Sequence, residues 1–386
     1  MPVVTRQVTD LLGDLVRIDS VAPRYEPRGG GEAAIAAFIA GWLADAGAEV
    51  EIADTEPGRP NVLATLRGTG GGPTLCLRAH TDTVGYRGWS RDALTPRIVG
   101  DHLYGLGAAD GKAVCAAAML TLLALARSGV RPRGDLLVAC VADEEGIAAG
   151  TTALAERGGI DAAIVVEPQR TDEIVVEHQG FGWLDVVTRG IPAHGSAADD
   201  GVDAIVHLAE VITRIHRLDR SVFHRFPSLN NGRTVCHTGM VSGGTDYSSY
   251  PDLARVGLEV GIQPGERLAD RIAEIEEIFA EVAQSEPGFD GQVVVRLDRE
   301  PFVASGHQAL QDAAAGVIAA VLGREPTITG ATGWTGAAIL QRAGIPTVLL
   351  GSAGGRFHAP EEWASISDLA RLCEILTRTA LAYLGG

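Results

Sequence analysis

The chain has 386 residues, 46% of them apolar and 21% charged. That length is more than one ordinary hydrophobic core fills, so two domains are expected, and the balance is that of a soluble globular protein. The formal net charge of −17 repels nucleic acid and anionic lipid and argues against a broad basic groove for polyanions. Bound metal ions would neutralise part of that charge.

The cysteines, Cys76, Cys115, Cys140, Cys236 and Cys373, are scattered, odd in number and never spaced as C-x-x-C. Most stand in apolar runs, which predicts buried free thiols rather than a disulfide framework. The opening MPVVTRQVTDLLGDLVRI has no basic segment followed by an unbroken apolar one. No run reaches the roughly 18 apolar residues of a membrane span. A cytoplasmic location without membrane partners is expected.

In chain order, Val8, Leu11, Leu12 and Leu15 share one face of a first helix ending near Ile18. A second helix is predicted over 31–46, with Ile35, Phe38, Ile39 and Leu43. Short apolar runs follow at 62–66, 74–79, 136–142 and 162–166. They are continuous rather than alternating, as in strands buried on both faces. Segment 113–126 is Ala/Leu-rich and reads as a buried helix. This alternation of strand and helix predicts an α/β layer.

The pattern changes after Glu177. Strand 181–188, helix 202–218, strands 234–241 and 253–262, helix 268–283 and strand 292–297 follow in order. The sequence βαββαβ is the split, ferredoxin-like unit. Helices at 309–322 and 337–343, strand 347–350 and a helix from about Ile366 then resume the α/β pattern. The expected organisation is a larger α/β domain, 1–177 and 299–386, interrupted by an inserted domain, 178–298.

Five polar motifs carry chemistry: His80-Thr81-Asp82, Asp110-Gly111-Lys112, Asp143-Glu144-Glu145-Gly146, Glu167-Pro168 and Phe357-His358-Ala359-Pro360. In open α/β sheets functional residues gather beyond the carboxyl ends of strands. Runs 74–79, 136–142 and 162–166 deliver His80 and Asp82, then Asp143 to Glu145, then Glu167; run 347–350 leads through a Gly-rich loop to His358. Each residue alone has a plain reading: Asp110 before Gly is a turn signal, Glu144-Glu145 a solvated pair, Glu167-Pro168 a strand end. Together, two histidines and several carboxylates form a donor set suited to a pair of divalent metals, zinc first. A two-metal site with a spare carboxylate is equipped to hydrolyse amides.

The text LRAHTDTV, LYGLGAADGKAVCAAAM, ADEEG, VEPQ, GIPAHGSAADDGVDAI, GWTGAAILQRAGIPTVLLG and FHAPEEW resembles the M20 metallopeptidases. That group includes acetylornithine deacetylase, succinyl-diaminopimelate desuccinylase, aminoacylase and carboxypeptidase G2. The resemblance covers nearly the whole chain. It implies a zinc-exopeptidase-like α/β catalytic domain whose ferredoxin-like insert is a lid and dimerisation domain, hence a homodimer.

The resemblance further implies that His80, Asp110 and Glu167 hold one zinc and that Asp110, Glu145 and His358 hold the other, with Asp110 bridging. Cobalt or manganese are the alternative metals. Asp82 would accept the hydrogen bond of His80's free ring nitrogen. Glu144 would be the general base, moving a proton from the attacking water to the leaving nitrogen. His194, in the insert, would reach the partner subunit's active site and stabilise the oxyanion. The substrate would be a small-molecule amide.

The chain departs from the family around the substrate. Leu106, Gly111 and Ala113 replace an arginine, a methionine and a glycine near the bridging aspartate. An Asn-Val-Ile-Pro segment reads Ser248-Ser249-Tyr250-Pro251, and a carboxylate-binding arginine reads Gly261. Gly333-Trp334-Thr335-Gly336-Ala337 lacks the family's aspartate, and the usual Gly-Pro-Gly is Gly351-Ser352-Ala353. Ser248, Gly261, Gly333 and Ser352 therefore mark the altered substrate-binding positions. Loss of a guanidinium fork removes the strongest handle for a carboxylate, which favours a neutral or differently placed acyl or amine portion. Arg233 and Arg255 are nearby substitutes.

Two other readings compete: a carbamoyl-amide hydrolase of the same fold, and a non-catalytic metal-binding scaffold. Retention of Glu144 argues against the scaffold. Gly111-Lys112 does not complete a phosphate loop, and there is no Gly-x-Ser-x-Gly elbow or Rossmann fingerprint.

Overall fold

The computed structural model describes residues 5–90, 92–221 and 231–385. They form two compact units: the chain up to Val176 with Ala304–Thr329 and the segment from Thr335, and Glu177–Val303 with Gly330–Trp334. The first four residues of the predicted opening helix lie outside the described residues.

The chain begins with α1 (Thr5–Val16) and α2 (Ala33–Asp45), then β1 (Glu49–Glu56), β2 (Arg59–Leu66) and β3 (Thr74–His80). Next come β4 (Arg97–Val99), β5 (His102–Tyr104), α3 (Lys112–Arg127), β6 (Asp135–Val141), α4 (Ala149–Arg157), β7 (Ala162–Val166) and β8 (Glu173–His178). The second unit is built from β9 (Gly180–Arg189), α5 (Ala204–Ser221), β10 (Cys236–Gly243), β11 (Leu253–Ile262), α6 (Leu268–Ser285), β12 (Asp290–Arg299) and β13 (Phe302–Val303). There follow α7 (Gln308–Leu322), β14 (Thr327–Ala331), α8 (Ala337–Arg342), β15 (Thr347–Leu350), β16 (Gly354–Gly355), β17 (Trp363–Ser365) and α9 (Ile366–Leu384).

The first unit's main sheet has the order β1-β2-β6-β3-β7-β15-β8. Its central strands β6, β3, β7 and β15 are parallel, with Thr74 opposite Asp135, Cys76 opposite Ala163 and Leu350 opposite Val166. They are buried almost throughout, which is why their sequences are apolar without alternation. Strand geometry still sorts the two faces of β3. Leu75, Leu77 and Ala79 join the core shared with α1, α3 and α9, while Cys76, Arg78 and His80 point the other way. Helix α3 is buried on nearly every side. Its run of alanines lets it lie close to β3, α1 and α9.

The second unit has the predicted βαββαβ order, and its sheet runs β10-β11-β9-β12, antiparallel at every pairing. Leu184, Val186, Val256 and Leu258 pack with Leu208, Val211, Ile275 and Val282 of α5 and α6. That is the ferredoxin-like arrangement. Helix α5 begins at Ala204 and extends to Ser221, later than the spacing suggests at both ends, and β10 is shifted two residues toward Gly243. Cys76, Cys115, Cys140 and Cys373 are buried free thiols, and Cys236 is half-buried and free.

Parallel packing leaves no space at the end of β15. A Cβ at Gly351 would lie 1.7 Å from the Glu167 carbonyl oxygen. Gly351→Ala is expected to destabilise the protein by about 1–3 kcal/mol through overpacking and to lower the thermal midpoint. An unchanged midpoint in a calorimetric scan would contradict this close approach.

Candidate metal centre and active site

Because β6, β3, β7 and β15 run the same way, their carboxyl ends open on one edge of the sheet. His80 ends β3, Asp143 to Glu145 follow β6, Glu167 follows β7, and the segment after β15 reaches His358. Asp110 arrives from the turn that precedes α3. The Asp110–Gly111 peptide bond is cis. The His358 segment is unusual in its backbone: Arg356, His358 and Glu361 all adopt positive φ, at 60°, 57° and 64°. Left-handed non-glycine residues are uncommon and cluster at functional sites.

Two groups of potential ligands share Asp110. His80, Asp110 and Glu167 form one, and Asp110, Glu145 and His358 the other; within each, the ligand atoms all lie within 4.8 Å of one another. His80 Nε2 is 3.0 Å from Asp110 Oδ1 and 3.7 Å from Glu167 Oε2. His358 Nε2 is 2.9 Å from Glu145 Oε1 and 3.5 Å from Asp110 Oδ2. Two ligands bonded to one tetrahedral zinc lie roughly 3.4 Å apart, so both groups fit a cation of that size.

The electrostatics fit as well. Burial pushes the Glu145 carboxyl up to about 7, with the Asp110 charge adding to it and His358 opposing. Burial raises Glu167 to about 8, against the pull of His80 and Arg78. Hydrogen bonds to Asp110 and Glu145 raise His358 to about 10. Burial alone would lower His80, but Glu167, Asp110 and Asp82 together hold it well above its ordinary value. Burial would raise Asp110, yet the two histidines hold it low.

His80 Nδ1 donates to the backbone carbonyl of Asp82 at 3.2 Å, while the Asp82 carboxylate is 3.6 Å away. Nδ1 thus faces Asp82, the carbonyl nearer and the carboxylate farther, which leaves Nε2 facing Asp110 and Glu167. The Asp82 carboxylate instead accepts the backbone N–H groups of Glu144 and Glu145, at 3.0 and 3.1 Å. It is aimed across the sheet edge at the loop after β6, and so positions both residues.

Further supports were not apparent in the sequence. Glu362, buried, accepts the N–H groups of Gly107, Ala109 and Asp110 at 2.9–3.0 Å and so anchors the turn carrying Asp110. Burial and the nearby Asp110 raise its carboxyl to about 7. Lys112 is fully buried and donates to the Val16 and Ile18 carbonyls at the end of α1; burial pushes its amine down to about 8. Asp143, at φ 64°, accepts the N–H groups of Ile147 and Ala149 and pairs with Arg59, which also binds Glu32. Arg78, inside β3, pairs with Glu144 and Glu167. Its one signal was a charge in an apolar strand two residues before His80, on the same face.

The residues expected to meet substrate are placed as follows. His194 is exposed in the second unit, its Nδ1 2.8 Å from Ser196 Oγ. It bridges to Ser249, and Gly195 N–H donates to the Ser248 carbonyl at 2.7 Å. His194 and Ser248 thus share one exposed corner. Gly261 is buried in β11, and a Cβ there would lie 3.1 Å from Gln179 Oε1 and 3.3 Å from the Val235 nitrogen. Arg233 pairs with Asp219 and Arg255 with Asp185. Gly333 faces open space within the same unit, and Ser352 is buried just beyond β15.

A mixed α/β sheet with histidine and carboxylate groups converging at its parallel strand ends, beside a spare glutamate, defines a metal-dependent hydrolase. The family model for Peptidase family M20/M25/M40 matches residues 76–382, and the chain belongs to that family. It is 26% identical over 380 residues to N-formyl-4-amino-5-aminomethyl-2-methylpyrimidine deformylase of Bacillus subtilis, covering 89% of this chain and 87% of the relative. It is 29% identical over 357 residues to acetylornithine deacetylase of Myxococcus xanthus, with the same coverage of 89% and 87%. The aminopeptidase PepT of Bacillus cereus has the same fold, with a TM-score of 0.80 at 24% identity over 99% of both chains.

Ligands must lose their protons to bind a cation. With Glu145 near 7, Glu167 near 8 and His358 near 10, lowering the pH through these values protonates all three and weakens binding. Zinc affinity of the metal-free protein is therefore expected to rise with pH across that range, with proton release. Calorimetry in buffers of different ionisation enthalpy measures both. A pH-independent affinity would contradict the ligand set.

Proposed function

We propose that the protein is a two-metal amidohydrolase that removes an acyl group from the nitrogen of a small molecule lacking an α-carboxylate. The observation that carries the two-metal reading is the sharing of Asp110 by two ligand groups. His80, Asp110 and Glu167 would hold one ion, and Asp110, Glu145 and His358 the other. Zinc suits the nitrogen and oxygen donors, with cobalt or manganese as alternatives. When bound, the ions would supply Lewis-acid polarisation of the scissile carbonyl and a more acidic attacking water.

Glu144 would be the base. Its side chain is 9% exposed and stands beside ligand Glu145. It takes a proton from the attacking water and returns it to the leaving nitrogen. His194, exposed on the second unit, would donate to the developing oxyanion in a partner subunit's site. Strand β10 supports a homodimer: it is an edge, it pairs with β11, and it carries Met240 and Val241 exposed at 63% and 68%. Such an edge invites pairing with another chain.

The substrate class follows from the missing handle. Gly261 presents no cation, and Arg233 and Arg255 are engaged by Asp219 and Asp185. The deformylase relative, by its name, acts on a formylated amine that carries no carboxylate, whereas acetylornithine is an α-amino-acid derivative. The first of these substrate types agrees better with this chain.

Glu144→Gln is expected to retain bound metal and lose turnover by roughly 100-fold or more, as measured by elemental analysis and steady-state kinetics. Formylated and acetylated amines without a carboxylate should show higher kcat/KM than matched N-acyl amino acids. A strong preference for free α-carboxylates would refute the substrate class. Val241→Glu is expected to convert a dimer to a monomer in sedimentation velocity; an unchanged dimer would place the interface elsewhere.

A further inference from the structure

Arg78 is fully buried, ligates nothing and has no part in the hydrolytic scheme above. A buried guanidinium is tolerated only when its charge is paired and its N–H groups are satisfied. Here Nη1 donates to Glu167 Oε1 at 2.7 Å, Nη2 to Glu144 Oε2 and to Thr151 Oγ1 at 2.8 Å, and Nε to the same hydroxyl at 3.2 Å. The other oxygen of Glu144 accepts the Gly336 N–H at 2.9 Å. Both oxygens of the carboxylate are thus held by donors fixed in the scaffold.

The support is interlocked. Thr151 is fully buried on α4 and orients the guanidinium. A Cβ at Gly336 would lie 2.7 Å from Thr151 Oγ1 and 3.1 Å from Arg78 Nη2. Arg78 and Thr151 therefore occupy the space that a side chain at 336 would take. An aspartate there would also set another carboxylate beside Glu144.

We propose that Arg78 is a positioning residue for the base, acting with Thr151 and Gly336 to hold the Glu144 carboxylate in one orientation beside the metal ligands. This rests on the reading of Glu144 as the base. Neutralisation of buried charge alone would ask only for a cation. Positioning asks for a planar fork that reaches two carboxylates and a hydroxyl at once, which a lysine ammonium cannot do.

The test compares Arg78→Lys, Thr151→Val, Glu144→Gln and the Arg78→Lys/Glu144→Gln double variant in the metal-loaded enzyme. Each is measured for kcat, KM, bound metal and thermal midpoint. Arg78→Lys should lower kcat on the order of 100-fold, as for a misplaced reacting group, with KM and metal content little changed. Thr151→Val touches neither carboxylate and is nearly isosteric, so it reports even if Arg78→Lys misfolds; its kcat should fall roughly tenfold. The double variant should be no slower than Glu144→Gln alone. Full kcat in Thr151→Val and Arg78→Lys, loss of activity only in step with loss of metal, or additive losses in the double variant would overturn the inference while leaving the base in place. Turnover retained by Glu144→Gln would overturn the base assignment and this inference with it.

Discussion

Buried negative charge is the constraint around which the first unit is organised. Strands β3, β6 and β7 bring Asp82, Asp143, Glu144, Glu145 and Glu167 to one edge of the sheet, and the turn before α3 adds Asp110. Carboxylates so placed repel one another and have lost much of their hydration, so each needs a partner. Asp143 is neutralised by Arg59, Glu144 by Arg78, and Asp82 by two backbone N–H groups and His80. Asp110 and Glu145 have the ring nitrogens of His80 and His358, and Glu167 shares Arg78 and His80. Arginines thus pair Asp143 and Glu144, histidines face Asp110 and Glu145, and Glu167 draws on both Arg78 and His80.

The position of Gly336 is crowded by Thr151 and Arg78. A side chain there would press on Thr151 first and on the arginine of β3 next. Gly261 is similar in the second unit: Gln179 and Val235 press on the position. At both positions the packed interior leaves little space for a side chain.

Much of this was legible in the chain itself. Long apolar runs such as Thr347–Leu350 and Leu253–Ile262 match their strands, and polar motifs after such runs mark the strand ends where the histidine and carboxylate groups gather. The rest was hidden for identifiable reasons. β1 is an exposed edge strand reading EVEIADTE, whose charges mask it. β4, β5, β16 and β17 form a small sheet of strands two or three residues long, too short for any periodicity. Helix α4, AGTTALAER, has little amphipathic contrast. Arg78 and Glu362 act through partners 66 to 89 and 252 to 255 residues away, and no local pattern announces such pairings. Asp82 lies where its spacing suggests, but which of its oxygens meets His80 depends on the loop that follows another strand.

The two histidines of the cluster live in different solvents. The side chain of His80 is 1% exposed beneath the turn that carries Asp110, whereas that of His358 is 52% exposed, on a backbone held left-handed. The cluster accordingly has a sealed floor and an open rim. Reagents that report imidazole accessibility would modify the rim and spare the floor, so the two halves of a nearly symmetric ligand pattern are chemically distinguishable from outside the protein.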